Sequence, residues 1–198
     1  QEYFWDDPDP QTIRAVRAAA DLFAALGAHV EERSFKELDE LSALRHLGSL
    51  TAVETYIAFK EHLENTPELF DPIVGSRIAD GRTMTAANYF AAQQGYTQLR
   101  HRFHRLMDDF DALLTPTTPF AALPVEEVDQ EDHYSRINGL CLRNTAAVNI
   151  LGLCATSQPC GFTTDGLPIG LQLIGRPFAE KRILCLARSY EANTQWHT

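Results

Sequence analysis

The sequence predicts an α/β fold in which a mixed sheet is flanked by helices. Three observations carry that prediction. Apolar residues recur at helical spacing through most of the first 109 positions. A short apolar run at 111–115 stops at Pro116, and two strand-like runs flank an Asp165-Gly166 turn signal near the C-terminus. Strands interleaved with long helices imply stacked layers of sheet and helix.

The first element is a helix. Asp9 is placed to cap it, Pro10 suits its first turn, and Ile13, Val16, Ala20 and Phe23 share one face, with Gly27 positioned to end it. Residues 28–35 read as a short strand. Residues 41–62 follow a helical pattern that Pro67 and Pro72 break, and 70–81 read as a loop with one helical turn at Ser76-Arg77-Ile78. Thr85 then caps a long helix reaching Asp109, with an apolar stripe of Tyr89, Ala92, Tyr96, Leu99, Phe103 and Leu106. Residues 111–115 form a buried strand, and 115–124, with three prolines, an extended loop. The acidic stretch 125–132 is exposed and a helix follows over 134–148. Residues 155–160 and 170–175 are strands of a hairpin with an irregular connection. The last helix, 178–191, uses Ile183, Leu184, Ala187 and Tyr190.

The 198 residues suffice for one domain with a core, and 44% hydrophobic against 22% charged residues is an ordinary globular balance. No apolar run approaches the ~18 residues of a membrane span, and no basic-then-apolar leader is visible, so no membrane partner is expected and the reading is cytoplasmic. A net charge of -10 repels phosphate backbones, which argues against direct binding to nucleic acid. The one basic cluster, Arg100 to Arg105, reads as the solvated face of a helix. Cys141, Cys154, Cys160 and Cys185 match no zinc or redox spacing and read as reduced, mostly buried thiols.

The catalytic search among the residues themselves finds little. There is no glycine-rich phosphate loop and no Gly-x-Ser-x-Gly elbow. None of the three lysines, Lys36, Lys60 and Lys181, follows a serine by three positions. His101 and His104 share a helix face but make an incomplete metal site among arginines. Asp108, Asp109 and Asp111 read as a solvated helix end. A Cys160 pair with His133 or His197 has no support from spacing. Arg77, in a loop near two glycines, either clamps a carboxylate in bidentate fashion or is a surface charge.

The stretch from Asn149 to Gly161, Asn-Ile-Leu-Gly-Leu-Cys-Ala-Thr-Ser-Gln-Pro-Cys-Gly, resembles the Asn-x-x-Gly-x-Pro-Ala-x-Ser-x-Pro-x-Gly pattern of the amidase signature family. Gly166 to Gly175, Phe178-Ala179-Glu180, Tyr190-Glu191 and Trp196-His197 look like the same family's C-terminal block in the same order. Asp111 to Thr117 resembles its Asp-x-Leu-Leu-x-Pro-Thr strand and loop, and Leu26 to Val30 resembles a segment from the middle of such enzymes. The resemblance covers nearly the whole chain. Cys154 stands where the pattern usually has proline, which fits a divergent member.

The resemblance implies part of the amidase-signature layered fold, with residues 1–198 as the C-terminal portion of a single amidase domain. It implies hydrolysis of a C–N bond in a small carboxamide or urea-like substrate, without cofactor or metal. The family uses a serine nucleophile, a second serine in a cis peptide and a lysine, because a serine hydroxyl is a weak nucleophile until a neighbour takes its proton. Backbone amides of a glycine-rich loop hold the oxyanion. All of these belong to the N-terminal half of family members. The only Gly-Ser pairs here, Gly48-Ser49 and Gly75-Ser76, lie in no such loop, so no catalytic residue is expected in this chain and the chain alone is expected to be inactive.

What the resemblance leaves for this chain is one wall of the substrate pocket. Arg77 aligns with an arginine that contacts the substrate carboxylate in the glutamine-hydrolysing subunit of tRNA-dependent amidotransferases. Thr117 follows a strand whose carboxyl end faces the pocket. Asn144 and Thr145 precede the signature block and are candidates for the same cavity, with packing or turn roles as the alternative for all three. Leu142 stands where amidotransferase subunits carry an acid, which favours a plain amidase over a glutamine-hydrolysing subunit. The third reading is a non-catalytic remnant acting as a binding module. The expected partners are a small amide and either the N-terminal half of the domain or a partner subunit, with a homodimer as another way to cover an exposed sheet edge.

Overall fold

Strands β2 (Cys154–Phe162) and β3 (Pro168–Gly175) pair antiparallel, as the turn signal at Asp165-Gly166 requires. Gly166 adopts φ +80 and donates its N–H to the Thr163 carbonyl at 2.9 Å, a conformation open to glycine and costly for most other residues. The ladder is interrupted once. Between Pro159 and Gly161 the register shifts, and the extra residue of the bulge is Cys160. Pro159 cannot donate to a ladder, and β2 lies at the sheet edge where that costs little.

The structure is a computed structural model describing residues 3–128 and 131–196, with the backbone alone at 131 and 132. A third strand, β1 (Leu113–Pro116), joins the far side of β3, so the order is β1-β3-β2 and all pairing among the described strands is antiparallel. Eight α-helices are described: α1 (Pro10–Ala25), α2 (Glu37–Arg45), α3 (Leu50–Asn65), α4 (Pro72–Ala79), α5 (Ala86–Leu106), α6 (Val125–Val128), α7 (Glu131–Leu151) and α8 (Glu180–Glu191). The helices and the small sheet give the α/β class that the sequence predicts.

The chain forms two compact units. One holds the described residues up to Leu38 and from Arg100 onward; the other is Asp39–Leu99. In the first, α1 and α8 pack on the Ile169, Leu171 and Leu173 side of the sheet. Val16, Ala19, Phe23, Ile183, Ala187 and Tyr190 complete this core with Cys160. The Asp9 carboxylate accepts from the N–H groups of Gln11 and Thr12, at 2.8 and 3.1 Å, which fixes the start of α1 as predicted. The buried face of α1 is Thr12, Val16, Ala19 and Phe23, rotated by one position at two of its four sites from the stripe read in the sequence. In α8 the buried set is Ile183, Ala187 and Tyr190, while Leu184 points outward.

In the second unit, the helix expected over 41–62 is two helices. Gly48, at φ +127, breaks the run, and the Ser49 hydroxyl caps α3 by accepting from Ala52 N–H at 3.1 Å. The loop expected over 70–81 is mostly helix, because Asp71 caps α4 through the N–H groups of Ile73 and Val74. Residues 28–35 form no strand; they stay outside the sheet and expose most of their side chains. Of the stripe on α5, Ala92, Tyr96, Leu99 and Phe103 are buried, with Met107 in place of Leu106.

The basic cluster on α5 has a structural role beyond solvation. Arg100 Nε donates to the Ile150 carbonyl, and His104 Nε2 lies 2.7 Å from the Leu151 carbonyl. Both groups serve the C-terminal carbonyls of α7, where a cation also meets the negative end of the helix dipole. Asp108 and Asp111, expected as a solvated helix end, are exposed but paired with Arg176 and Arg182.

A cavity of about 520 Å³ runs beside β1. Residues 109–115 and 28–33 both line it, together with Trp5, Phe23 and Phe35.

Burial raises the Cys160 thiol to about 12. Burial, and secondarily the neighbouring Cys160, raises the Tyr190 hydroxyl to about 12, against a hydrogen bond with Trp196 that lowers it. Both groups hold their protons more tightly folded than unfolded, where the reference values are 9.0 and 10.0. Stability is therefore full below pH 9 and falls as pH rises toward 12, by up to about 1.4 kcal/mol per pH unit for each group. The urea midpoint, measured in reductant, is expected to drop between pH 8 and pH 10.5. An unchanged midpoint would contradict the burial of these two groups.

Candidate functional site

Thr117 is the first residue past β1, and its N–H donates to the Gly170 carbonyl at 2.9 Å, extending the β1–β3 ladder by one step. Its hydroxyl lies 2.6 Å from that of Ser157 on β2. Strand order makes this contact unusual, because β3 separates β1 from β2. Two outer strands meet above a central strand only where the central residue has no side chain. A Cβ at Gly170 would sit 2.8 Å from Thr117 Oγ1 and 2.9 Å from Ser157 Oγ. Thr117 is half-buried and Ser157 exposed, so one hydroxyl donates to the other and the pair keeps a donor for a third partner. One row further along the same face, Thr115 Oγ1 donates to Gln172 Oε1 at 3.1 Å, and both residues are buried.

Asn144 holds the backbone under this pair. It lies on α7 with no exposed surface, and its amide donates to the carbonyls of Pro116 at 2.8 Å and Phe4 at 3.1 Å. Its Oδ1 accepts from Arg143 Nε at 3.2 Å. All its side-chain polar atoms are engaged with the protein, which is the packing role that the sequence reading gives as the alternative. It positions the strand end from which Thr117 projects. Thr145, half-buried, donates its hydroxyl to the Leu142 carbonyl at 3.3 Å, within its own helix. Arg77 stands in the last turn of α4, exposed, in the second unit, whereas the other three candidates belong to the first.

Three residues of the site are not singled out by the sequence. Ser157 and Gly170 occur in the family-like stretches, but only the strand order brings the former to Thr117 across the latter. Arg143 is half-buried beside Asn144. Burial lowers its pKa, partly offset by Asp6, and its Nη2 has no hydrogen-bond partner among the described residues. A guanidinium does not lose its proton under these conditions, so this is a desolvated fixed charge.

Several alternatives close. Cys160 lies in the apolar core with its thiol held protonated, opposite to what a nucleophile needs. His197 lies outside the described residues. His104 is committed to Leu151, and no group of three potential metal ligands occurs among the described residues. Of the four cysteines Cys160 is buried, Cys141 and Cys154 are half-buried, and Cys185 is exposed, so the thiols are less buried than expected. Cys154 donates to the Arg176 carbonyl at 3.1 Å. Among the described residues no base is hydrogen-bonded to Thr117 or Ser157. The hydroxyl pair has one donor to offer a polar ligand.

A family model described as Amidase matches residues 1–184. The chain is 33% identical over 190 residues to the 2-amino-5-chloromuconic acid deaminase of Comamonas testosteroni, covering 96% of this chain and 41% of that protein. It is 31% identical over 219 residues to a glutamyl-tRNA(Gln) amidotransferase subunit from Geobacter sp. strain M21, covering 100% of this chain and 44% of that one. The solved allophanate hydrolase of Kluyveromyces lactis superposes with a TM-score of 0.81 at 28% identity, over 97% of this chain and 30% of that chain. The chain thus spans less than half the length of these relatives.

Proposed function

Because the chain belongs to the amidase family, we propose that it is the C-terminal portion of a single amidase domain that hydrolyses the C–N bond of a small carboxamide or urea-like substrate. The nucleophile in this reading is a serine outside the chain, in the Ser-cisSer-Lys relay of amidase-signature enzymes. The observation that supports it is the family match over residues 1–184 together with a polar site that has hydroxyls but no base among the described residues. The serine hydroxyl adds to the carbonyl carbon as the relay takes its proton, the C–N bond breaks and the amine leaves carrying that proton, and water then adds to the acyl-enzyme ester to release the acid and restore the serine. Thr117 and Ser157 orient the substrate, Asn144 holds the strand end beneath them, and Thr145 and, by its own resemblance to a carboxylate-contacting arginine, Arg77 are further substrate-binding candidates. The chain alone is inactive and cytoplasmic in this reading, and no described helix is long and apolar enough to cross a membrane. Its partner is the N-terminal half of the domain or a separate subunit, with a homodimer as the other arrangement.

A second reading, the glutamine-hydrolysing subunit of an aminoacyl-tRNA amidotransferase, is favoured by the match of the whole chain to such a protein. Leu142, in place of an acid, weighs against it. The test is ammonia release by the chain assembled with a complementary amidase half, on small carboxamides, urea-like amides and glutamine. Release from the first two classes with little from glutamine is expected; glutamine alone would reverse the order of the readings. Thr117→Val is expected to lower kcat/KM by about 3- to 10-fold, the loss of one hydrogen bond of ~1 kcal/mol. An unchanged kcat/KM would remove Thr117 from the pocket.

A further inference from the structure

An open groove of about 810 Å³ lies between the C-terminal end of α5 and the N-terminal end of α8. Arg105, Arg176, Lys181 and Arg182 line it against one carboxylate, that of Asp108. Asp111 pairs with Arg182 from outside the lining. The chain carries a net charge of -10, so the groove is a local reversal of the prevailing field. Arg105, Lys181 and Arg182 are exposed, and neither Arg105 nor Lys181 has an ion pair among the described residues. The walls are fixed in place. Arg176 Nη1 lies 3.0 Å from Asp108 Oδ1, a single contact that orients the guanidinium and leaves most of its donors unused. The Arg176 carbonyl accepts from Cys154 Sγ and from Ala179 N–H, both at 3.1 Å, and the His104 ring is held on the Leu151 carbonyl. The first turn of α8 borders the groove without a side-chain cap, and its one acid, Glu180, is outside the lining.

We infer that this groove binds a small anion carrying a diphosphate group. Three arginines present planar forks that match phosphate oxygens in bidentate geometry, and Lys181 adds a point charge. A single phosphate is small beside 810 Å³, and the cations come from two walls, Arg105 on α5 and the others on the loop before α8 and on α8 itself. An anion with two charged groups engages both walls. A nucleic acid or a long acidic peptide runs beyond the groove onto a surface whose net charge repels it. The groove faces solvent in the assembled domain as well, because covering four cations with further protein would bury them without matching carboxylates. The inference goes beyond the amide chemistry of the proposed function and stands without it.

Cys185 is exposed in the groove wall and reports its occupancy, since Cys141 and Cys154 are half-buried and Cys160 is buried. The probe is pyrophosphate at constant ionic strength, added to the full chain. Calorimetry gives the affinity, and mass spectrometry reads the alkylation rate of each thiol. Saturable slowing at Cys185 is expected, by about tenfold once the anion stands at about ten times its Kd. Arg105→Gln and Lys181→Gln are each expected to weaken binding by about tenfold, the loss of one charge-assisted hydrogen bond. Arg188→Gln removes an equal charge from an exposed position of α8 outside the groove and is expected to leave the affinity unchanged. Adenosine diphosphate is expected to bind too. Equal affinity makes the phosphate chain the whole determinant, tighter binding makes a nucleotide its source, and both support the inference. No calorimetric binding, binding that leaves Cys185 unprotected, or slowing that follows ionic strength and not the anion would each overturn it. So would an equal loss in Arg188→Gln, binding of a glutamate-rich peptide with none of pyrophosphate, or a Cys185 that turns unreactive when the chain is assembled with a complementary amidase half.

Discussion

Asn144→Leu is expected to destabilise the chain by about 3–5 kcal/mol, because it strands two buried carbonyls at once. The Pro116 and Phe4 oxygens lie 2.8 and 3.1 Å from the Asn144 amide, in a region with no solvent to replace it. Each orphaned carbonyl costs about 1–3 kcal/mol, and leucine restores neither bond. The comparison variant is Arg143→Met. Removing Arg143 relieves a half-buried guanidinium whose Nη2 is unpartnered among the described residues but orphans the buried Asn144 Oδ1, so a net cost of about 1–2 kcal/mol is expected, below that of Asn144→Leu. Denaturant titration followed by tryptophan fluorescence reads both. A cost below about 1 kcal/mol for Asn144→Leu would mean that Asn144 does not hold the end of β1.

Gly81→Ala is expected to cost more than about 2 kcal/mol, with the damage confined to the Asp39–Leu99 unit. A Cβ at this position would lie 2.4 Å from the Ala52 carbonyl oxygen and 2.6 Å from its carbon. These are backbone atoms of α3, so no rotamer change relieves the overlap. The helix and the turn at Asp80–Arg82 must separate. Gly139→Ala makes the opposite prediction. Nothing lies within 4 Å of its Cβ position, and it sits inside α7, so alanine is expected to stabilise by up to about 1 kcal/mol. Thermal unfolding distinguishes the two by sign. Equal effects would mean that the contact between α3 and this turn is not as close as described.

The contrast between Asp9-Pro10 and Asp71-Pro72 shows what is legible in a sequence. Both dipeptides cap a helix in the same way, with the carboxylate accepting from two N–H groups. The first reads as a cap because a clear apolar stripe follows it. The second is hidden because α4 is eight residues long and has no buried residue to announce it. Residues 28–35 fail for a different reason. Their side chains suit a strand, but a strand is made by a neighbour, and no described strand pairs with them. The hairpin is legible because its turn and both its strands are local. The site is legible only in part. Thr117 is singled out by its place after a strand, whereas the bonds of Asn144 to the Pro116 and Phe4 carbonyls depend on packing that no local pattern announces. The Thr117–Ser157 contact depends on β3 inserting between strands that precede it in the chain, and periodicity carries no information about that order.

The insertion of β3 between its predecessors has a consequence for biosynthesis. Among the described strands both others pair with β3 and neither pairs with the other, so the β1-β3-β2 ladder cannot close until Pro168–Gly175 has been made. β1 leaves the ribosome more than fifty residues earlier, as Leu113↔Ile174 pairing shows, and lacks its β3 partner through that interval. Helices α1 to α7 are translated before any strand ladder can close, and α1 waits for the face it covers. The nascent chain is therefore most exposed to aggregation and to chaperone capture late in synthesis, and substitutions in β3 act on folding yield before they act on anything the finished protein does.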